Sequence, residues 1–237
     1  MIDIIAMYWQ SYLWWDGFNF SGLIVTLTLL VAALLVGLVL ALPLSILRCS
    51  RSLWVSGPVW LFTYLFRGTP LYIQLLIVYS GMYQLEVVRE HPLLDAFFRD
   101  GFKCTVLALG LNTAAYTTEI FAGAMRSVAR GEVEAAKAYG FTKWDTYRRV
   151  ILPAGMRRAL PAYSNEVILM LHSTAIAFTV TVPDLLKVAG DVNADTYQAF
   201  HSYGIASVIY LAVSLSLIGM FRIAEKRLLQ FSRPRTH

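Results

Sequence analysis

A run of 27 residues, Ser21 to Leu47, contains no charged side chain. Roughly 20 predominantly apolar residues are enough for an α-helix to cross the hydrocarbon core of a bilayer. A soluble protein would have to bury such a helix on all sides, and a chain of 237 residues cannot cover several of them. Only 15% of the residues are charged, against roughly 25% in an average globular protein. The sequence therefore indicates an all-α integral membrane protein.

Four further apolar runs follow, so the sequence predicts about five transmembrane helices. The predicted spans cover roughly residues 22–47, 54–83, 104–125, 159–182 and 203–221. The second span contains the sequence FRGTP at 66–70, where glycine and proline should interrupt the helix. Ahead of the first span, five aromatic side chains are expected at the level of the lipid headgroups: Tyr8, Trp9, Tyr12, Trp14 and Trp15.

Basic residues are concentrated in alternate connecting segments. The loop after the first span, the long loop between the third and fourth spans and the C-terminal tail together hold 15 Lys and Arg, and the opposite segments hold 4. Because cytoplasmic loops are enriched in Lys and Arg, we expect the N-terminus outside the cell membrane and the C-terminus in the cytoplasm. The tail contributes Arg222, Lys226, Arg227, Arg233 and Arg235.

The sequence contains no motif for catalysis or for binding a cofactor. It has no His/Cys cluster with metal-ligand spacing, no glycine-rich phosphate loop and no nucleophile elbow, which disfavours an intramembrane enzyme. Cys49 and Cys104 fall near opposite faces of the predicted bilayer, roughly 30 Å apart and out of reach of a disulfide. The net charge of +5 is explained by membrane orientation, so no nucleic-acid partner is predicted.

The loop between the third and fourth spans contains a polar, helix-favouring segment, EAAKAYGFTKWDTYRRVILP, Glu134 to Pro153. Residues 131–140 predict a short helix that ends at Gly140, and a second helical stretch should end or bend at Pro153. One interpretation is an interfacial helix held to anionic lipid by its basic side chains. The other is a docking helix for a cytoplasmic partner. Small and aromatic side chains would form its contact surface: Ala135, Ala136, Tyr139, Gly140, Phe141 and Trp144.

The same segment resembles the EAA loop of bacterial ABC-importer permeases, whose pattern is E-A-A, three residues, G, nine residues, I, one residue, L-P. Val150 replaces the isoleucine, and the matching residues are Glu134, Ala135, Ala136, Gly140, Leu152 and Pro153. The resemblance implies that this helix, including Tyr139, seats in a cleft of an ATP-hydrolysing subunit. It also implies a single transmembrane domain, 1–237, with a cytoplasmic coupling loop at about 127–158.

Three longer stretches resemble the polar amino-acid permease family of ABC importers, in particular its members for basic amino acids. They are FRGTPLYIQLLIVYSGMY (66–83), NTAAYTTEIFAGAMRSV (112–128) and LPAYSNEVILMLHSTAIAFTVTVPDLL (160–186). The resemblance implies the type I importer (MetI-like) permease fold and import of histidine, lysine, arginine and ornithine across the bacterial inner membrane. It also implies a homologous permease subunit, two copies of an ABC ATPase that bind ATP and magnesium, and a periplasmic substrate-binding protein. This chain would then be a non-catalytic subunit without its own cofactor.

Ionisable side chains at membrane depth are costly and usually mark a pathway or an ion pair. Glu166, beside Asn165, would bind the cationic side chain of a substrate or bond to a neighbouring helix, and the residues leave both open. Glu119 precedes Arg126 by seven residues on one helix face, which favours a structural or gating ion pair over a substrate contact.

Three other polar positions complete the candidate pore. Arg67 stands at the predicted helix break, where it would meet a substrate α-carboxylate or brace the break. Asn112 and the threonines that follow it would line a pore or pack helices together. His172 lies six residues after Glu166, off its face in a regular helix, and is expected to be a hydrogen-bonded interior group.

The alternative function is an autonomous secondary transporter, coupled to an ion through Glu119 or Glu166. Many such transporters are built from internal repeats. Five predicted spans without a repeat argue against this alternative.

Overall fold

The computed structural model describes residues 2–229, except for the side chains of residues 2 and 3. Two residues of the basic C-terminal tail, Arg233 and Arg235, lie outside this part of the chain. The described residues form helices α1 (Ile2–Leu13), α2 (Leu23–Arg48), α3 (Leu53–Gly68), α4 (Leu71–Leu76), α5 (Glu86–Glu90), α6 (Pro92–Phe98), α7 (Gly101–Arg126), α8 (Arg130–Ala138), α9 (Lys143–Thr146), α10 (Leu152–Ser173), α11 (Leu185–Thr196) and α12 (Ala199–Leu228). Two π-helical turns, Ile77–Gly81 and Tyr147–Ile151, and a 3₁₀ segment, Thr174–Val180, extend α4, α9 and α10.

Helix α7 is the centre of the bundle, and α2 packs beside it in the same direction. Gly37 of α2 lies so close to α7 that a Cβ atom there would meet Thr113 Cγ2 at 2.2 Å. One turn earlier on α7, a Cβ atom on Gly110 would meet Val36 Cγ1 at 2.7 Å. Small residues on both helices thus let the two backbones approach closely, as is common between membrane helices.

Helix α10 runs antiparallel to α7, and α12 runs antiparallel to α10. Gly155 near the start of α10 packs against Met125 near the end of α7, whereas Val180 beyond the end of α10 lies against Gly101. His172 of α10 contacts Ser214 of α12 through a 3.2 Å hydrogen bond. These registers bring the loop that contains α8 and α9 to the same end of the bundle as the C-terminal part of α12.

The predicted break in the second span is present, and it is sharp. α3 ends at Gly68, α4 begins at Leu71, and the axis turns by 104° between α3 and the segment Leu71–Gly81. By length and composition, α2 and α12 can cross a membrane, and the bent pair is a third candidate if it forms one span. α7 and α10 have 26 and 22 residues and are long enough as well, but they are more polar. The total of five spans stays a prediction.

Basic side chains collect at one end of the bundle. Arg126 donates to the backbone oxygen of Arg48 at 2.7 Å, so the C-terminal ends of α7 and α2 meet there. Arg158 of α10 bonds to the backbone oxygen of Ser127 and forms a 2.7 Å ion pair with Glu132 of α8. The alternating charge pattern requires that the basic loops lie at the same end of the bundle, and they do. The assignment of this end to the cytoplasm stays a prediction.

Two local expectations are changed by the structure. Tyr12 is only 1% exposed, and its hydroxyl donates to the backbone oxygen of Ser202 at 3.0 Å, so it belongs to the packing of α1 on α12 and not to a headgroup belt. The second helical stretch does not end at Pro153. The helix continues from α9 through the π-helical turn Tyr147–Ile151 into α10, whose first turn contains Pro153, so the α-helical ladder is interrupted directly before the proline.

Candidate functional site

A cavity of about 490 Å³ lies where the break between α3 and α4 faces α7 and α10. It is open on one side. Its lining residues are Thr69, Pro70, Leu71, Asn112, Tyr116, Glu166, Leu169, Met170, His172 and Ser173. The cavity sits near the middle of α7, at the depth where transport proteins commonly bind their substrates between helices.

Glu166 supplies the acidic group of this cavity. Its side chain is 6% exposed, and Oε1 accepts a 3.0 Å hydrogen bond from Thr113 Oγ1 on α7. Glu166 thus bonds to a neighbouring helix and lines the cavity at the same time, so the two alternatives are compatible. A carboxylate in a mostly apolar cavity can attract and orient a cationic ligand.

Asn112 faces the same cavity from α7 and is held by the helix break. Its Nδ2 donates to the backbone oxygen of Phe66 at 3.2 Å and to Gln74 Oε1 at 3.1 Å. The amide of Gln74 in turn donates to the backbone oxygens of Phe66 and Thr69. Two amide side chains therefore satisfy the carbonyl groups that the break sets free.

Glu119 does not line the cavity, and its ion-pair partner is not the expected Arg126. It pairs with Arg48 of α2, with Nε 2.6 Å from Oε1, and accepts a 2.8 Å hydrogen bond from Thr63 of α3. Arg126 bonds to the backbone of Arg48 instead. The reason is that α2 and α3 flank Glu119 more closely than the end of its own helix does. The expectation of an ion pair is confirmed with a different partner, and a substrate contact at Glu119 stays a prediction.

The other candidates divide between the cavity and its surroundings. Asn165 is exposed on α10 and does not line the cavity, because the next residue along a helix points about 100° away from Glu166. Arg67 does not line it either, but its guanidinium carbon lies 5.2 Å from the ring centre of Tyr116, which does. A cation therefore lies over an aromatic ring that forms part of the cavity wall.

His172 lines the cavity together with Glu166, contrary to expectation. The cavity extends along and around α10, so it includes two side chains that point about 120° apart. The expected hydrogen bond exists, between Nε2 and Ser214 Oγ at 3.2 Å, but the residue is exposed in this chain and is not an interior group.

The long loop forms the short helix that the sequence predicts. α8 ends at Ala138, and Gly140 follows with a φ of +79°, the left-handed conformation of a helix C-terminus. Ala136 is buried, whereas Glu134, Ala135 and Gly140 are exposed, and Tyr139 is 85% exposed. The loop thus presents an unpartnered surface with an aromatic side chain at its edge. Leu152 and Pro153 open α10 directly after it.

Comparison with known proteins identifies the family. Residues 33–230 match the family model described as "Binding-protein-dependent transport system inner membrane component". The chain belongs to this family. It is 62% identical over 234 residues to the histidine/lysine/arginine/ornithine transport system permease protein HisM of Escherichia coli (strain K12), covering 99% of this chain and 98% of that protein. The octopine transport system permease protein OccM of Rhizobium radiobacter is 38% identical over 220 residues, covering 93% and 88%.

Two solved ABC transporters share the fold. The crystal structure of an amino acid ABC transporter with histidines matches with a TM-score of 0.77 and 31% identity, covering 87% of this chain and 92% of that one. The inward-facing MetNI methionine ABC transporter matches with a TM-score of 0.64 at 15% identity, which shows the fold alone. The predicted all-α, MetI-like permease fold is confirmed. This membrane component of a binding-protein-dependent system is therefore not an autonomous secondary transporter.

The residues that sequence reasoning did not single out include Gln74, which supports the site, and Tyr116, which lines it. Gln74 is an isolated amide in an apolar stretch, four residues after the proline that ends the break. That position places it one helical turn from the free carbonyls, which is a signal that could have identified it. Tyr116 lies one turn after Asn112 on α7, on the same face.

Proposed function

We propose that this chain is the permease subunit of an ATP-driven importer of histidine, lysine, arginine and ornithine in the bacterial inner membrane. Its partners would be a HisQ-like second permease, two copies of a HisP-like ATPase that bind ATP and magnesium, and a periplasmic binding protein of the HisJ or lysine/arginine/ornithine type. The near full-length similarity to HisM supports this assignment. This chain contributes a pathway through the membrane and no catalytic group.

The position of the Glu166 carboxylate is the observation that supports a cationic substrate. It is a buried carboxylate at mid-depth of the bundle, on the wall of a cavity that is open to one side. Cationic side chains need an acidic group on a route through an apolar medium. The carboxylate of the amino acid needs a cation, and Arg67 over the Tyr116 ring is the group available for it. Asn112 contributes from the opposite helix, and Asn165 and Glu119 lie outside the cavity.

The loop at about 127–158 is the proposed contact with the ATPase. Glu134, Ala135, Ala136, Tyr139 and Gly140 form the docking helix, and Leu152 and Pro153 connect it to the membrane. The helical path from Lys143 to Ser173 is continuous through the π-helical turn, so a push on the loop is transmitted along α10 to Glu166. The distance from Pro153 to Glu166 is 13 residues, or about 20 Å of helix. ATP-driven closure of the two ATPases would rock the spans between inward-open and outward-open states.

The orientation follows from the same proposal. The basic end of the bundle, with α8 and the end of α12, would face the cytoplasm, and the N-terminus would face the periplasm. Enrichment of Lys and Arg at that end supports it. The binding protein would then release its substrate between the two permeases from the side of α1 and α11.

Uptake by the reconstituted complex tests the proposal. Proteoliposomes that contain both permeases, the ATPase and internal ATP should accumulate labelled arginine, lysine, ornithine and histidine when the binding protein is supplied outside. Matched proteoliposomes without the ATPase should accumulate none. Accumulation without the ATPase under an imposed ion gradient would contradict an ATP-driven importer and indicate a secondary transporter.

A further inference from the structure

The side-chain amide of Gln74 forms hydrogen bonds across the break between α3 and α4. The residue lies in the first turn of α4 and is 8% exposed. Its Nε2 is 2.8 Å from the backbone oxygen of Phe66, 3.1 Å from the backbone oxygen of Thr69 and 2.9 Å from Thr69 Oγ1. The oxygen of Phe66 belongs to the last turn of α3 and Thr69 follows that helix directly, so no further helical turn supplies N–H donors there. One amide group therefore stabilises the 104° bend that forms the rim of the cavity.

The same network determines which way the amide of Asn112 points. The backbone oxygen of Phe66 faces the amide nitrogens of both Gln74 and Asn112. A carbonyl oxygen can only accept hydrogen bonds, so both side chains must present nitrogen to it. The second N–H of Asn112 is used by Gln74 Oε1 at 3.1 Å. Both donors of Asn112 are thus occupied, and the polar atom that it has left for the cavity is the acceptor Oδ1.

A second hydrogen-bond acceptor, the carboxylate of Glu166, lies on the wall opposite Asn112. Glu166 lines the same cavity from α10, and its Oε1 is held by the hydroxyl of Thr113, the residue next to Asn112. Within residues 2–229, the hydrogen bonds of Asn112 and Glu166 leave Oδ1 and Oε2 without a donor. Ammonium, guanidinium and imidazolium groups carry donors only, so a pair of fixed acceptor oxygens suits them.

We propose that Asn112 Oδ1 and the Glu166 carboxylate form a two-acceptor subsite for the cationic group of the substrate, and that Gln74 is a positioning residue for it. Gln74 touches no substrate itself. It holds the Asn112 amide so that the oxygen, and not the nitrogen, is offered to the cavity. This inference rests on the proposed function, since it assumes that a basic amino acid occupies the cavity.

Arginine binding to the purified complex tests the role of Gln74. The complex is placed in nanodiscs without binding protein or ATP, and the dissociation constant for labelled arginine is measured for wild type, Gln74→Met, Asn112→Leu and the double variant. Each single variant should bind about tenfold more weakly, because a hydrogen bond to a charged group is lost or misdirected. The double variant should bind no more weakly than Asn112→Leu, since Gln74 acts through that amide. Two results would overturn the positioning role. One is a double variant whose loss of arginine affinity equals the product of the two single losses, and the other is unchanged arginine binding by Gln74→Met.

Controls separate this inference from the proposed function and from misfolding. Gln84→Met places the same change in an exposed loop residue and should leave binding unchanged. If the Gln74 variant does not assemble with the ATPase, the pair Asn112→Leu and Glu166→Gln carries the test. Each change should weaken arginine binding about tenfold, and the two losses should not multiply in the double variant, because both oxygens serve one cationic group; fully multiplied losses would contradict a shared subsite. Failure of the wild-type complex to bind any basic amino acid would contradict the proposed function itself.

Discussion

Glu119 and Arg48 form an ion pair that joins two parallel helices near the basic end of the bundle. The Oε1 atom of Glu119 on α7 lies 2.6 Å from Nε of Arg48 on α2, and both side chains are 19% exposed. The same oxygen accepts from Thr63 on α3 at 2.8 Å. One carboxylate thus connects three helices between the cavity and the loop that contains α8 and α9.

Glu119→Gln should destabilise the assembled complex. The amide keeps the shape of the side chain but leaves Arg48 without a charged partner in a largely buried position, a loss of about 1–3 kcal/mol. The thermal unfolding midpoint in nanodiscs should fall, whereas Glu90→Gln at an exposed site should leave it nearly unchanged. A double variant with Arg48→Met should lose less than the sum of the two single changes. Equal midpoints for Glu119→Gln and Glu90→Gln would contradict the structural role of the pair.

Gly37→Ala should also destabilise the chain, although alanine is normally the better helix former. The new Cβ atom would lie 2.2 Å from Thr113 Cγ2, so α2 and α7 must separate or Thr113 must shift. Overpacking of this kind costs about 1–3 kcal/mol. Gly57→Ala in α3 is the matched control, because no atom lies within 4 Å of its Cβ position. A lower thermal midpoint for Gly57→Ala than for Gly37→Ala would refute the close approach of α2 and α7.

A bulky residue at position 140 should weaken coupling to the ATPase without disturbing the rest of the chain. No atom of this chain lies within 4 Å of a Cβ atom at Gly140, so a Gly140→Trp side chain would project from the surface of the loop. The left-handed φ of +79° adds about 1 kcal/mol of local strain. Co-purification of the ATPase and ATP-driven uptake should fall. Gly131→Trp in the same loop, which is equally uncrowded, serves as control, and equal effects of both variants would refute a specific docking surface.

Asp184 should make the stability of the chain depend on pH. It caps α11 outside the predicted spans, is fully buried, and burial raises its pKa from 3.8 to about 6, although the N–H groups of Lys187 and Leu186 oppose the shift. Between pH 4 and 6 the folded state keeps a proton that the unfolded state has lost, so stability falls as the pH rises through this window. The full effect is on the order of 3 kcal/mol.

Asp184→Asn keeps a capping oxygen and removes the ionisation. Thermal midpoints of wild type and variant are compared at pH 4.5 and 7.5. The wild type should lose more stability than the variant between these two values. Parallel pH profiles would show that Asp184 does not titrate in this window.

Sequence reasoning reached the features that depend on local chemistry. Uncharged runs locate the long helices, the FRGTP sequence locates the break, and the spacing from Glu134 to Pro153 locates the loop that we propose as the contact with the ATPase. Features that depend on how helices face one another were out of reach. Glu119 has a candidate partner on its own helix, but α2 places Arg48 closer. Asn165 and Glu166 are neighbours in sequence, and only the rotation of α10 against α7 decides which of them reaches the cavity.

The effect of Glu166→Gln on ATP-driven uptake tests the central claim most directly. Proteoliposomes with the complete complex and the binding protein are supplied with labelled arginine and, at pH 8, with histidine, whose side chain is then largely neutral. We predict that arginine uptake falls at least about tenfold, that histidine uptake falls less, and that ATPase subunits still co-purify in normal amounts. Glu90→Gln should transport both like the wild type. An unchanged arginine rate, or the same substrate profile as the wild type, would contradict Glu166 as the acidic group of the transport site.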